Sequence, residues 1–262
     1  MGGFLIVNPR SGDGRTGTDE LLDEARRRGI RTHVLEESDD PAEVARSADA
    51  DALGIAGGDG SLAAVAGAAL ERDLPFVCVP FGTRNHFARD LGLDRNDPIA
   101  ALDAFGGTER RIDVGRTGER LFLNNVSLGL YAQLVHRREH HRRRRKALAR
   151  ARSWLILLTH REPLGIAIDG RPEDTRLVLV ANNCYELDLP TLGARNRLDE
   201  GLLYLYVLGG PTSGKSARRF EIDAAAGRLE AAIDGEPELL ETPIEFRIEQ
   251  KALRVLVPPP RG

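Results

Sequence analysis

Ala52-Leu53-Gly54-Ile55-Ala56-Gly57-Gly58-Asp59-Gly60-Ser61, followed by the Ala-, Val- and Leu-rich run Leu62 to Leu70, decides the fold. A short apolar run, a glycine turn and a longer apolar run predict a buried strand leading into a buried helix. Such a turn makes a phosphate cradle. N–H groups at the helix N-terminus point at the anion, the helix dipole favours negative charge, and missing Cβ atoms permit close approach. Asp59 adds a carboxylate, which suits a metal-bound phosphate or a ribose better than a bare anion. Read without a ligand, the same residues form a tight turn capped by Ser61. The stretch alone leaves both readings open.

Strands and helices alternate on either side of it. Phe4–Val7 reads as a strand, Asn8-Pro9-Arg10-Ser11-Gly12 as a turn, and Thr18–Arg28 as an amphipathic helix stopped by Gly29. Thr32–Leu35 is a strand, and Pro41–Ala48 is a helix capped by Asp39 or Asp40. Phe76–Val79 is a fourth strand, with helices at Asn85–Leu91 and Pro98–Phe105. The alternation predicts an α/β domain with a doubly wound parallel sheet over residues 1–107. From Gly106-Gly107 onward strands dominate: Arg110–Gly115, Arg120–Ser127, Leu164–Ile168, Arg176–Ala181, Leu202–Val207, Glu230–Ile233 and Ile244–Ile248. Asp169-Gly170 and Asp234-Gly235 are hairpin signals. A mainly antiparallel domain is therefore expected over 108–250. The strand Leu253–Val257, within 251–262, fits either domain.

Composition bounds the function. A chain of 262 residues, 41% apolar and 29% charged, is that of an ordinary globular protein. A net charge of −3 argues against bulk nucleic-acid binding. Cys78 and Cys184 sit in apolar surroundings and read as buried small hydrophobes. No signal peptide is expected, because residues 4–7 already read as a strand. The apolar run Trp154–Leu158 is too short to span a bilayer. The expected location is cytoplasmic, with a peripheral contact at the inner membrane face as a further option. That option rests on His136–Arg152, which holds nine Lys/Arg and one Glu. The segment reads equally as a solvated helix face or as a dock for anionic headgroups.

Two motifs lack their context. Gly12-Asp13-Gly14-Arg15-Thr16-Gly17 matches the dinucleotide fingerprint, with Glu36 or Glu37 about 20 residues on. However, Asn8 to Ser11 separate the strand from its first glycine. Gly209-Gly210-Pro211-Thr212-Ser213-Gly214-Lys215-Ser216 fits the P-loop pattern. The residues after it read as strands without further βαβ units, and Pro211 interrupts the N–H cradle.

Gly57-Gly58-Asp59-Gly60-Ser61, followed by Pro80-Phe81-Gly82-Thr83-Arg84-Asn85-His86-Phe87-Ala88-Arg89, resembles the diacylglycerol kinase catalytic-domain family, distantly related to NAD kinases. Asn8-Pro9-Arg10-Ser11-Gly12 and Asp234-Gly235-Glu236 match its first and last motifs. The four motifs, in order, cover nearly the whole chain. The resemblance implies a nucleotide-binding α/β domain, a β-sandwich domain, and phosphoryl transfer from ATP to a lipid hydroxyl in the cleft. It implies ATP and Mg²⁺ as cofactors, and a lipid with a free hydroxyl, such as diacylglycerol, as partner. Asn8, Gly57, Gly58, Asp59, Gly60, Ser61, Gly82, Thr83 and Asn85 would hold the nucleotide. Glu236 would be the general base, with Asp59 and Asp234 completing the catalytic group. Metal candidates are Asp59, Asp113 and Asp199.

The chain departs from the family pattern at Ser61 for Thr, at Ala63-Ala64 for Asn-Glu, and at His86 for Asp. The last two motivate a second reading, a nucleotide-binding pseudokinase or sensor. A dinucleotide-dependent oxidoreductase and an NAD kinase stay open as well. So does the oligomeric state, a dimer included.

Overall fold

The computed structural model describes residues 2–11, 17–82, 85–129, 163–186, 193–207 and 214–259. The chain divides into two compact units. Unit 1 takes residues 1–114, 185–201 and 249–262, and unit 2 takes 115–184 and 202–248. The sequence pattern alone suggests a division at residue 107, with 185–201 in the β-rich part. The packing of that excursion assigns it to the α/β unit instead.

Unit 1 runs β1 (Gly3–Val7), α1 (Thr18–Arg27), β2 (Arg31–Val34), α2 (Pro41–Ser47), β3 (Ala52–Gly57), α3 (Asp59–Glu71), β4 (Phe76–Pro80), α4 (His86–Asp90) and α5 (Pro98–Ala101). The local causes are those read from sequence. Asp40 caps α2 by accepting from the Ala42 N–H at 2.8 Å. Gly29 ends α1 at φ 72°. Helix α1 buries Leu21, Leu22 and Ala25 and turns its charges outward. Strands β3 and β4 are buried along their whole length, as expected of a parallel sheet covered on both faces. The order is β2-β1-β3-β4, all parallel. Strand β2 lies on one side of β1 and β3 on the other, so β1/β3 is the topological switch point. In open α/β sheets, ligands bind at the carboxyl ends there.

Strand β5 (Thr108–Thr117) carries the chain into unit 2. Unit 2 adds β6 (Arg120–Phe122), β7 (Asn125–Gly129), β8 (Ile166–Ile168), β9 (Arg171–Glu173), β10 (Leu177–Asn182), β11 (Leu203–Val207), β12 (Lys215–Ala217), β13 (Arg219–Ala224), β14 (Arg228–Ile233) and β15 (Glu236–Glu241). One antiparallel sheet has the order β12-β11-β10-β7-β14-β15. Strands β8, β9 and β13 form a second antiparallel group. Val126, Val178, Leu205 and Ile233 from the first pack with Ile168, Phe220 and Ile222 from the second in one apolar core. The last strand, β16 (Ile244–Val257), serves both units. Its first residues pair with β13, and Val255 and Leu256 lie parallel to β4.

Three strand readings change. Arg120–Ser127 is two strands, broken at Leu123-Asn124. Ile244–Ile248 and Leu253–Val257 are one strand. Strands β9, β12, β13 and β15 have no counterpart in the sequence pattern. Lys215 and Ser216 of the P-loop match lie in β12, antiparallel to β11, so no helix follows that loop. Residues 12–16 of the dinucleotide match, His136–Arg152 and Trp154–Leu158 lie outside the described residues.

Candidate active site

Three loops meet at the carboxyl ends of β1, β3 and β4. The Asn8 N–H donates to the Ala56 carbonyl at 2.9 Å, and the Asn8 side chain accepts from the Arg10 N–H at 3.1 Å. That closes a short turn after β1. Helix α3 begins two residues earlier than Ser61, at Asp59, with Gly58 as its cap and no side-chain bond to that cap. The Ser61 hydroxyl therefore sits inside the first turn, donating to the Gly58 carbonyl at 3.0 Å. A Cβ on Gly57 would overlap the Ser61 hydroxyl. A Cβ on Gly82 would come within 2.7 Å of the Gly58 Cα. Only glycine lets the β3 and β4 loops approach this closely. An N-terminus without a side-chain cap, on a helix of 13 residues, beside paired glycines, fits a phosphate group.

The second motif serves as scaffold. Asn85 is buried, at φ 50°, and its amide is used internally. Its Oδ1 accepts from the Gly82 N–H at 2.9 Å, and its Nδ2 donates to the Gly82 carbonyl at 2.8 Å. Thr83 lies outside the described residues. Asp59 reaches across to the same loop, accepting from the His86 and Phe87 N–H groups, each at 3.2 Å. It thus caps α4 and fixes one loop against the other. Burial pushes the Cys78 thiol of β4 far up, with the Asp59 charge adding to the shift.

The carboxylates proposed for metal have other occupations. Asp113 is buried and accepts from the Gly201 N–H at 2.6 Å and the Lys251 N–H at 2.8 Å. Both oxygens hold backbone, so Asp113 reads as an anchor of two chain segments. Asp199 pairs with Arg197 at 3.1 Å. Among the described residues, no group of three or more His, Cys, Asp or Glu side chains could hold a metal ion. Of the three metal candidates, Asp59 alone lies in the glycine turn at the start of α3.

In unit 2, Asp234-Gly235 forms the expected two-residue hairpin, with φ 48° and 91° and Ile233 paired to Glu236. Glu236 opens β15 and is exposed. Asp234, expected in the catalytic group, has a different geometry. It is 8% exposed, and its carboxylate accepts from the N–H groups of Leu123, Asn124 and Asn125 at 2.7, 2.8 and 3.0 Å. A carboxylate engaged by three backbone donors orients the turn.

Sequence reasoning misses two arrangements. In unit 1 the side chains of Asp90 and Arg195, 1% and 0% exposed, form an ion pair at 2.7 Å. Arg89 adds a bond to the Gly193 carbonyl at 2.7 Å. The pair fastens the excursion 185–201 to the end of α4, and no local pattern links residues 105 positions apart. In unit 2 the Ser127 hydroxyl of β7 is buried and has no hydrogen-bond partner among the described residues. Its cross-strand neighbours are Leu179 and Ala232.

Comparison with known proteins follows the same lines. Residues 3–117 match the family model of the diacylglycerol kinase catalytic domain. A probable YegS-like lipid kinase of Pseudomonas aeruginosa is 30% identical over 232 residues, covering 77% of this chain and 75% of that protein. A diacylglycerol kinase of Bacillus subtilis is 30% identical over 142 residues. That match covers 50% of this chain and spans only 47% of the Bacillus protein. A crystal structure of a diacylglycerol kinase from Bacillus anthracis superposes with a TM-score of 0.73 at 20% identity, covering 98% of this chain and 96% of that one. At that identity the likeness speaks to fold.

Proposed function

The chain belongs to the diacylglycerol kinase catalytic-domain family, and on that premise we propose that it is an ATP- and Mg²⁺-dependent lipid kinase acting on a hydroxyl lipid such as diacylglycerol. The observation that carries the reading is the Gly57-Gly58 turn into an α3 N-terminus without a side-chain cap, packed against Gly82 at the β1/β3 switch point. Backbone N–H groups of Gly58, Asp59 and Gly60 bind the phosphates, and the helix dipole supports their charge. Asn8 shapes the neighbouring turn. Asp59 holds the second loop in place and is the carboxylate nearest the cradle for a divalent cation, which supplies charge neutralisation when bound. Glu236 takes the proton of the acceptor hydroxyl. The basic run His136–Arg152 supplies contact with an anionic lipid surface.

The test is transfer of labelled γ-phosphate from ATP to diacylglycerol, ceramide and sphingosine in mixed micelles, with and without Mg²⁺. The wild type should label diacylglycerol or a related lipid, and Glu236→Gln should lower kcat about 10²–10⁴-fold. A wild type as inactive as Glu236→Gln on every lipid overturns the reading. Tight ATP binding without any transfer would favour the pseudokinase instead, which Ala63 and Ala64 after the cradle motivate.

A further inference from the structure

The hairpin that carries Glu236 is held through two consecutive peptide groups. The peptide joining Leu123 to Asn124 gives its N–H to Asp234 at 2.8 Å, and its carbonyl accepts the Asn182 side-chain amide at 3.0 Å. The peptide joining Asn124 to Asn125 gives its N–H to Asp234 at 3.0 Å, and its carbonyl accepts the Asn182 backbone N–H at 2.9 Å. Each peptide is thus a dipole with its positive end on the Asp234 carboxylate and its negative end on Asn182. Bonds arranged in line through a buried peptide polarise one another. The Asn183 side chain donates to Asn182 Oδ1 at 3.2 Å, which fixes the amide with its nitrogen toward Leu123. Asn182 is 1% exposed and Asn183 is fully buried.

We infer that Asn182 is a positioning residue for Glu236, acting through the 123–125 turn and Asp234. The inference rests on the assignment of Glu236 as the base. Only Asp234 and Gly235 separate Ile233 from its cross-strand partner Glu236, so the backbone of Glu236 follows that of Asp234. Asp234 in turn sits where three N–H groups put it. Asn182 holds the carbonyls of the same peptides and thereby sets the direction of those N–H groups. The strand break at Leu123-Asn124 has its explanation here. The Asn182 N–H bond to the Asn124 carbonyl continues the β7/β10 register by one residue, while on the other side the N–H groups go to the Asp234 carboxylate and not to a strand carbonyl.

The test uses the full chain, labelled ATP and diacylglycerol micelles. Asn182→Ala, which removes the amide donor, and Asn182→Asp, which puts a buried carboxylate against the Leu123 carbonyl in its place, should each lower kcat about tenfold or more and leave the KM for ATP within about twofold. Asp234→Asn should lower kcat at least as far. The double variant Asn182→Ala with Asp234→Asn should be no worse than Asp234→Asn alone, because both act through one network. Asp169→Asn, in the other Asp-Gly hairpin of unit 2, should lower the urea midpoint and leave kcat unchanged, separating stability from positioning. An active wild type whose Glu236→Gln variant is dead but whose Asn182 variants keep full kcat overturns the inference and leaves the kinase reading intact. Additive losses in the double variant overturn it as well. A wild type inactive on every lipid overturns the kinase reading and this inference with it.

Discussion

The two Asp-Gly hairpins of unit 2 share a dipeptide and a backbone. Asp169-Gly170 turns at φ 50° and 74°, and Asp234-Gly235 at 48° and 91°. Both connect adjacent antiparallel strands through two residues. They differ in where the carboxylate goes. Asp169 is exposed and, among the described residues, accepts only from the Glu221 N–H, at 2.9 Å. Asp234 is buried and accepts from three N–H groups. The residue after each glycine differs too, Arg171 in one and Glu236 in the other. Identical turn chemistry therefore makes a simple reversal in one place and a mount for a carboxylate in the other. The distinction comes from what the rest of the fold offers the aspartate.

The largest effect that could break this comparison is catalytic. Glu236→Gln is expected to remove nearly all lipid phosphorylation, whereas Arg171→Gln, at the equivalent hairpin position, should leave kcat and KM unchanged in the same assay. Equal losses would mean that hairpin integrity, not Glu236, is what activity reports. The next effect is on stability. Asp234→Ala leaves three N–H groups without their acceptor and should cost about 3 kcal/mol or more, while Asp169→Ala should cost about 1 kcal/mol, read from urea unfolding. The smallest effect should be shared. Gly170→Ala and Gly235→Ala each force a side chain into positive φ and should each cost about 1–2 kcal/mol. A large difference between the glycine variants would show that the two backbones are not equivalent.

Much of unit 1 is legible in the sequence, because its signals are local. The apolar run ending at Gly57, the cap at Asp40 and the stop at Gly29 each act within a few residues. Both hairpin turns are legible for the same reason. What escapes depends on backbone partners far along the chain. The alternation of Arg120–Ser127 runs unbroken in sequence, since side-chain periodicity says nothing about peptides turned toward Asp234, 110 positions away. Asp113 suits a supporting carboxylate by its type and place. Its real partners, the N–H groups of Gly201 and Lys251, lie 88 and 138 residues later. Backbone donors carry no residue signature, so sequence cannot show that a carboxylate is already taken. At the ends of β3 and β4 the motif glycines Gly58 and Gly82 lie against each other, a Cβ on Gly82 coming within 2.7 Å of the Gly58 Cα. The motif's polar residues, Asn85, Asp59 and Asp234, all hold backbone.

Strand β16 has a consequence for how the protein is made. Unit 1 draws its first residues from the start of the chain, but β4 obtains its outer parallel neighbour only from Val255 and Leu256. During synthesis unit 1 must wait, with one edge of its sheet bare, while the whole of unit 2 emerges from the ribosome. Exposed parallel edges invite pairing with other nascent chains. The interval between translating residue 80 and residue 257 is therefore the time in which this chain is most exposed to misassembly, and the time in which a chaperone would have most to protect.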